Sequence, residues 1–286
     1  MAIEGRRDRE IRGCGGAGVA AYMTEESRST WTLQPAEPFG LIVTSDRQGT
    51  DLRTISISEL KEWVDKHRVV VLRGFASLEG AALPEFCQSL GELLNWEFGA
   101  VNDLRIKSDA RNYLYTNREV PFHWDGAFIG RAPHYIFFHC DVAPSRGSGE
   151  TLFCDTIRLL ELTPSEQLEN WERIVITYTT EKVVHYGGTF ASPMITRHPT
   201  SEEKVLRFAE PVTDLNPVSL EIEGIPESAQ KDFLEDMHRR LRDESVCYSH
   251  EWLKGDVVVA DNHVLLHGRR AFDPDAERHI RRVNIL

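Results

Sequence analysis

The 286-residue chain has no run of the roughly 18 apolar residues that a membrane-crossing helix needs, so no spanning segment is expected. Nor is there a secretory leader, because Arg6, Arg7, Asp8, Arg9 and Glu10 are not followed by an apolar core. A cytoplasmic location is therefore expected. Cysteine is scarce and unpatterned: Cys14, Cys87, Cys140, Cys154 and Cys247 are odd in number and contain no Cys-x-x-Cys pair. That argues against a disulfide scaffold and for a reduced protein, with Cys140 and Cys154 as small buried hydrophobes in apolar strands. Cations are also few relative to acids, and the formal net charge of -12 argues against nucleic acid, whose phosphates require a basic surface. There is no internal repeat. What remains is a chain that acts on small molecules and is long enough for one large core.

Residues 1–28 are rich in Gly, Arg and Ser without periodicity and read as a disordered lead, with Met23 an alternative start. Residues 29–286 then read as a single domain. Ser56-Ile-Ser-Glu59 is a capping box, followed by a helical apolar stripe at Leu60, Trp63 and Val64. A second helix is expected from Pro84 to Leu94 and a late one from Glu227 to Arg242. Strands are expected at Val69 to Leu72, Tyr113 to Thr116, His134 to Asp141, Glu150 to Asp155, Arg173 to Glu181, Val205 to Phe208, Val257 to Ala260 and His279 to Ile285. Many short strands between turns, some apolar on both faces, point to a mainly β fold with flanking helices, a double-sheet jelly roll.

The chemistry lies in His123-Trp124-Asp125 and in the distant His267. In an extended segment side chains alternate, so His123 and Asp125 point one way and Trp124 the other. Two imidazoles and one carboxylate on one face of an octahedral ion leave the opposite face open, as in the non-haem Fe(II) oxygenases. The plain alternatives are a surface ion pair for His123 and Asp125 and a backbone-bonded core histidine for His267. His263 competes for the ligand role but lies in the Asp261-Asn262 turn, which it is expected to cap. On the last strand Arg278, Ile280, Arg282 and Asn284 share one face, and His279, Arg281, Val283 and Ile285 share the other. Arg278 lies 11 positions after His267 (278 minus 267), and an arginine fork there suits a carboxylate. An ordinary surface arginine is its alternative.

Pro121-Phe-His123-Trp-Asp125-Gly, Gly149-Glu-Thr151-Leu-Phe-Cys-Asp155 and Leu266-His267-Gly-Arg with a downstream arginine resemble the taurine dioxygenase superfamily of iron- and 2-oxoglutarate-dependent oxygenases. The resemblance runs from about Trp31 to Leu286. It implies a cupin-like double-stranded β-helix, Fe(II) on His123, Asp125 and His267, and 2-oxoglutarate with its far carboxylate on Thr151 and Arg278. It also implies that Arg282 borders the substrate pocket and that an insertion, about residues 163–216, closes over it. His185, Tyr186, Gly187, Gly188 and Trp171 are candidate pocket residues in or near that region, although the glycine pair also fits a plain turn. Arg118 and Tyr115 could line the pocket or anchor the loop before the metal motif.

Further segments, Glu37-Pro-Phe-Gly-Leu-Ile-Val, Val71-Leu-Arg-Gly-Phe75, Trp96-Glu-Phe-Gly-Ala, Asn112 to Pro121 and Arg131-Ala-Pro-His-Tyr, are similar to the bacterial oxygenases that follow an isonitrile synthase. This implies desaturation, with or without decarboxylation, of an aromatic amino-acid isonitrile, with tyrosine isonitrile first and a tryptophan-derived one second. Asp125 speaks against halogenation, because related halogenases replace this carboxylate with a small residue that leaves room for halide. The expected partners are the small-molecule substrate and dioxygen alone. Two other functions stay open: hydroxylation of another amino acid or small carboxylic acid, and a non-catalytic metal-binding or sensor protein of the same fold.

Overall fold

The computed structural model describes residues 30–183 and 186–286. The expected lead at residues 1–28, with Met23, and His185 lie outside the described residues. Strand alternation builds the architecture as four layers. The largest sheet has seven strands in the order β1-β2-β3-β14-β6-β16-β4, where β1 is Trp31–Pro35, β2 Leu41–Ser45, β3 Val69–Arg73 and β4 Val101–Leu104. Its remaining members are β6 (Tyr135–Val142), β14 (Val257–Asp261) and β16 (His279–Ile285). A second sheet runs β13-β7-β15-β5, with β5 at Val120–His123, β7 at Thr151–Asp155, β13 at Cys247–His250 and β15 at Leu265–Arg269.

Side chains sort between the layers with a period of two. Val70, Leu72, Phe137, Val257, Val259, Val283 and Ile285 face outward from the large sheet, against α1 (Ile57–His67) and α2 (Ala82–Leu90). Their neighbours Val69, Val71, Ile136, Phe138, Cys140, Val258, Ala260 and Ile280 face inward, where they meet Phe153 and Leu265 of the small sheet. Leu152, Cys154 and Leu266 leave the far side of the small sheet. There they pack under α4 (Ser165–Trp171), α5 (Glu227–Leu241) and further strands between and beside these helices. Those strands are β8 (Val175–Thr180), β9 (Gly188–Pro193) and β12 (Ser219–Glu223) in one sheet, and β10 (Ile195–Arg197) with β11 (Lys204–Leu206) in another. Helix α3 (Thr156–Glu161) follows β7 directly. The fold is the expected mainly β double sheet with flanking helices. Among the described residues no helix is long and apolar enough to cross a membrane.

Ser56 caps α1 as its sequence predicts, accepting from the Glu59 N–H. Three expectations change. Helix α2 ends at Leu90 rather than Leu94, because Leu94 N–H donates to Asn284 O and Leu93 bridges Ile285. Gly91 permits this turn onto β16: a Cβ there would lie 2.9 Å from both Ile285 Cγ2 and Leu286 O. The strand expected at Tyr113 to Thr116 is a 3-10 turn over Tyr113–Tyr115, started by Asn112, whose side chain accepts from Leu114 N–H. The strand expected at Val205 to Phe208 is Lys204–Leu206, after which the chain leaves the β10 pairing.

Candidate metal and co-substrate site

The small sheet brings the ligands together by register. His267 on β15 lies directly opposite His123 on β5, and the imidazole centroids are 4.3 Å apart. Beyond that pair the register slips: Arg269 faces Val120, so three residues of β5 span two of β15. The extra residue inverts the alternation of β5. Val120 and His123, which a regular strand would place on opposite faces, both border the interior, while Phe122 enters the outer core. Gly268 makes the slip possible, because a Cβ there would lie 2.8 Å from Val120 O. Trp124 then turns into the outer core and Asp125 returns to the interior. Nε2 of His123 and of His267 stand 3.7 Å and 4.0 Å from Asp125 Oδ1. The three donor atoms lie within 4.8 Å of one another, a spread that one ion with bonds of about 2 Å can draw together.

Hydrogen bonds at His123 and Asp125, and burial at His267, put the donors in their ligand forms. His123 Nδ1 lies 2.9 Å from Pro121 O, so Nδ1 carries the proton and Nε2 presents a lone pair. Burial lowers the pKa of His123 and takes that of His267 well below the usual value, which keeps both rings neutral. Burial works the other way on Asp125, yet Arg282 leads the opposing interactions that carry its carboxyl far below the ordinary range. Arg282 Nη1 donates to Asp125 Oδ1 at 3.1 Å and Asn284 Nδ2 to Oδ2 at 2.7 Å. Asn262 holds the Asp125 backbone, accepting from its N–H at 2.9 Å and donating to its carbonyl at 3.1 Å.

Two cavities meet at this cluster and share Leu114, His123 and Arg282 in their walls. The smaller holds Thr151, Arg269 and Arg278. Arg278 is only 5% exposed, and burial pushes its guanidinium down to about 10. Among the described contacts it has no carboxylate and no hydrogen bond, only the Phe272 ring at 5.9 Å. Arg269 spends its Nη groups on the carbonyls of Leu114, Thr116 and Arg118. Thr151 Oγ1 accepts from Trp252 Nε1 at 3.0 Å, which leaves its hydroxyl proton to donate. An unpaired buried cation is costly, and a carboxylate between Arg278 and Thr151 removes that cost. The donor sets therefore fit a divalent iron and a dicarboxylic acid.

The larger cavity is walled by Trp96, Tyr113, Phe128, Tyr178 and Tyr186, among others. Tyr186 and Arg282 border this cavity, and Arg282 also pairs with Asp125. Three candidates are elsewhere. Arg118 is an outward side chain, 60% exposed and paired with Asp214; it contributes only its carbonyl to the interior. Tyr115 is buried behind the cavity and donates to Asn102 Oδ1 at 3.1 Å. Trp171 is part of the outer core. Tyr113 takes the place expected of Tyr115, because a 3-10 turn does not alternate as a strand does. The signal for it was Asn112, a side chain suited to capping a turn.

A second group, His134, His198 and Asp261, also brings three ligand-type atoms within 4.8 Å, with His263 beside it. It borders neither cavity. His263 does not cap its turn: Asp261 Oδ1 does, accepting from the N–H groups of His263 and Val264.

Residues 33–284 match the family described as taurine catabolism dioxygenase TauD, TfdA. The chain is 42% identical to 3-((Z)-2-isocyanoethenyl)-1H-indole synthase of Fischerella ambigua, over 91% of this chain and 97% of that one. It is 36% identical to tyrosine isonitrile desaturase of Pseudomonas aeruginosa, over 86% and 87% respectively. Among solved structures, PvcB, an Fe, alpha-ketoglutarate dependent oxygenase from an isonitrile synthetic pathway, matches with a TM-score of 0.75 and 32% identity. That match covers 94% of this chain and 95% of PvcB.

Proposed function

Because the chain belongs to the TauD, TfdA family and is an Fe(II)- and 2-oxoglutarate-dependent oxygenase, we propose that it desaturates the isonitrile of an aromatic amino acid. One observation carries the reading: the two cavities meet at His123, Asp125 and His267, one lined by aromatic rings and the other by Arg278, which has no carboxylate partner among the described residues. When bound, the iron couples dioxygen to the oxidative decarboxylation of 2-oxoglutarate and to removal of hydrogen from the substrate. The chain's own residues supply position. His123, Asp125 and His267 would hold the metal, and Arg278 with Thr151 would hold the far carboxylate of 2-oxoglutarate. Asn284 and Arg282 fix the Asp125 carboxylate. The aromatic wall excludes water and aligns the benzylic carbon of the substrate.

Residues 163–216 act as the lid, and support for this comes from Tyr178, Tyr186, Ala209, Glu210 and Val212, which border the aromatic cavity in or next to that stretch. Within the aromatic class, identity is higher to the indole enzyme, 42% against 36%. That favours testing a tryptophan-derived isonitrile beside the tyrosine-derived one. The experiment is incubation with Fe(II), 2-oxoglutarate and each isonitrile, with succinate and product mass as readouts. Loss of two hydrogens, with or without carbon dioxide, is expected at one succinate per product. A lasting gain of one oxygen makes the protein a hydroxylase. Iron binding without substrate-stimulated succinate makes it a sensor.

A further inference from the structure

We propose that the Tyr113 hydroxyl is a substrate-binding donor that fixes the carboxylate of the amino-acid isonitrile beside Arg282. This rests on the substrate class proposed above. Tyr113 borders the aromatic cavity, and its hydroxyl ends a chain of hydrogen bonds that has one direction. Asn112 Nδ2, which can only donate, gives a hydrogen bond to Tyr186 Oη at 2.8 Å. Tyr186 Oη passes its own proton to Tyr113 Oη at 3.1 Å. The Tyr113 proton is then left over at the cavity wall, where a buried donor requires an acceptor. The group stays a donor, because burial raises the phenol well above its usual value.

Arg282 adds the complementary charge. It borders the same cavity, its Nη1 is bound to Asp125, and its Nε is buried with no partner. A neutral O–H and a partly used guanidinium in the wall of one cavity otherwise lined by aromatic rings match an anion joined to an aromatic ring. A carboxylate held beside Arg282, which binds Asp125, keeps the adjoining Cα and Cβ near the metal-binding group and leaves the ring to the aromatic wall. The donor is also held still, as precise positioning requires. Asn112 Oδ1 accepts from Leu114 N–H at 2.9 Å, Tyr113 N–H donates to Leu215 O at 3.2 Å, and Arg269 binds three carbonyls of the same segment.

The test measures binding of tyrosine isonitrile, its tryptophan-derived counterpart and the methyl ester of each. Calorimetry is run on anaerobic protein loaded with Fe(II) and 2-oxoglutarate, so that nothing turns over. Tyr113→Phe is expected to weaken the acids by roughly ten- to a hundredfold, the range for a hydrogen bond to a charged group. It should weaken the esters less, by roughly tenfold at most, since an ester carbonyl accepts only a neutral hydrogen bond, and leave 2-oxoglutarate within about twofold. Tyr186→Phe removes the bond into Tyr113 but spares its proton, so it should weaken the acids by less. Equal weakening of acid and ester, or no weakening of the acid, overturns the role of Tyr113. Wild-type protein that binds neither acid removes the substrate class itself, and the role of Tyr113 with it. If Tyr113→Phe does not fold, acid-selective weakening in Tyr186→Phe supports the proposal, and unchanged acid binding in that variant overturns it.

Discussion

Two histidine and carboxylate clusters in this molecule have the same donor types, each with its three ligand-type atoms within 4.8 Å of one another: His123 with Asp125 and His267, and His134 with His198 and Asp261. Their hydrogen bonds give them opposite characters. Pro121 O fixes the proton of His123 on Nδ1 and leaves Nε2 free to bind a metal. In the second cluster His198 Nδ1 accepts from the N–H groups of Thr200 and Ser201 at 3.2 Å and 3.0 Å. Its proton therefore sits on Nε2, which faces Asp261 Oδ2 at 3.4 Å and has no lone pair to offer. Arg207 Nη2 likewise lies 3.3 Å from His263 Nδ1, which must accept. The surroundings differ in the same sense. The first cluster opens on two cavities beside Arg278, which has no carboxylate partner among the described residues, whereas the second closes the turn between β14 and β15. Distance makes a group of side chains a candidate metal site, and the partners of the other ring nitrogen decide whether it is one.

The strongest way to break this comparison is to count metal. One Fe(II) per chain is expected after anaerobic reconstitution, and single alanine replacements of His123, Asp125 or His267 should abolish both binding and succinate formation. His198→Ala should keep the full equivalent. A second equivalent that disappears in His198→Ala would make the two clusters alike.

Next in size is the arginine that distinguishes their surroundings. Arg278→Ala should raise the KM for 2-oxoglutarate by an amount corresponding to about 2–5 kcal/mol, the usual cost of truncating a buried charged pair, and leave the KM for the organic substrate nearly unchanged. Steady-state titration of both decides it. An unaffected 2-oxoglutarate constant would move the anchor to Arg282.

Asp261→Ala tests the structural assignment of the second cluster. It strands the His263 and Val264 N–H groups and His198, so a loss of about 1–3 kcal/mol in denaturant unfolding is expected, with metal content preserved. Loss of metal without loss of stability would reverse the assignment.

The smallest effect is a pH dependence. Burial, with Arg207 next, lowers His263 to about 4, while the unfolded chain titrates near 6.5. The unfolded state therefore takes up the proton first, so this contribution to stability is complete above pH 6.5 and is lost as the pH falls towards 4. His263→Gln should flatten the thermal midpoint against pH in that window relative to wild type. Parallel curves would mean that His263 titrates alike in both states.

Several features were legible from local pattern. The capping box at Ser56, the shared face of His123 and Asp125, and the alternation that sends Arg282 and Asn284 inward and Val283 and Ile285 outward all follow from element type and period. Tyr115 shows the limit. A strand was expected at Tyr113 to Thr116, but the segment is a turn capped by Asn112, in which Tyr113 and not Tyr115 borders the cavity. Arg118 shows another, since nothing in the order of residues told an inward arginine from one paired with Asp214.

The chain's sequence by itself determined the donor types, their faces and the mainly β layering, because these depend on covalent order and on the periods of helix and strand. Tertiary structure alone decided which donors can work. The slip opposite Gly268 that turns His123 inward, the Asn262 clamp on Asp125 from 137 positions away and the ion pair of Arg282 are all contacts between distant segments. Such contacts arise only when sheets pack and buried polar groups must find partners, and no local period encodes them.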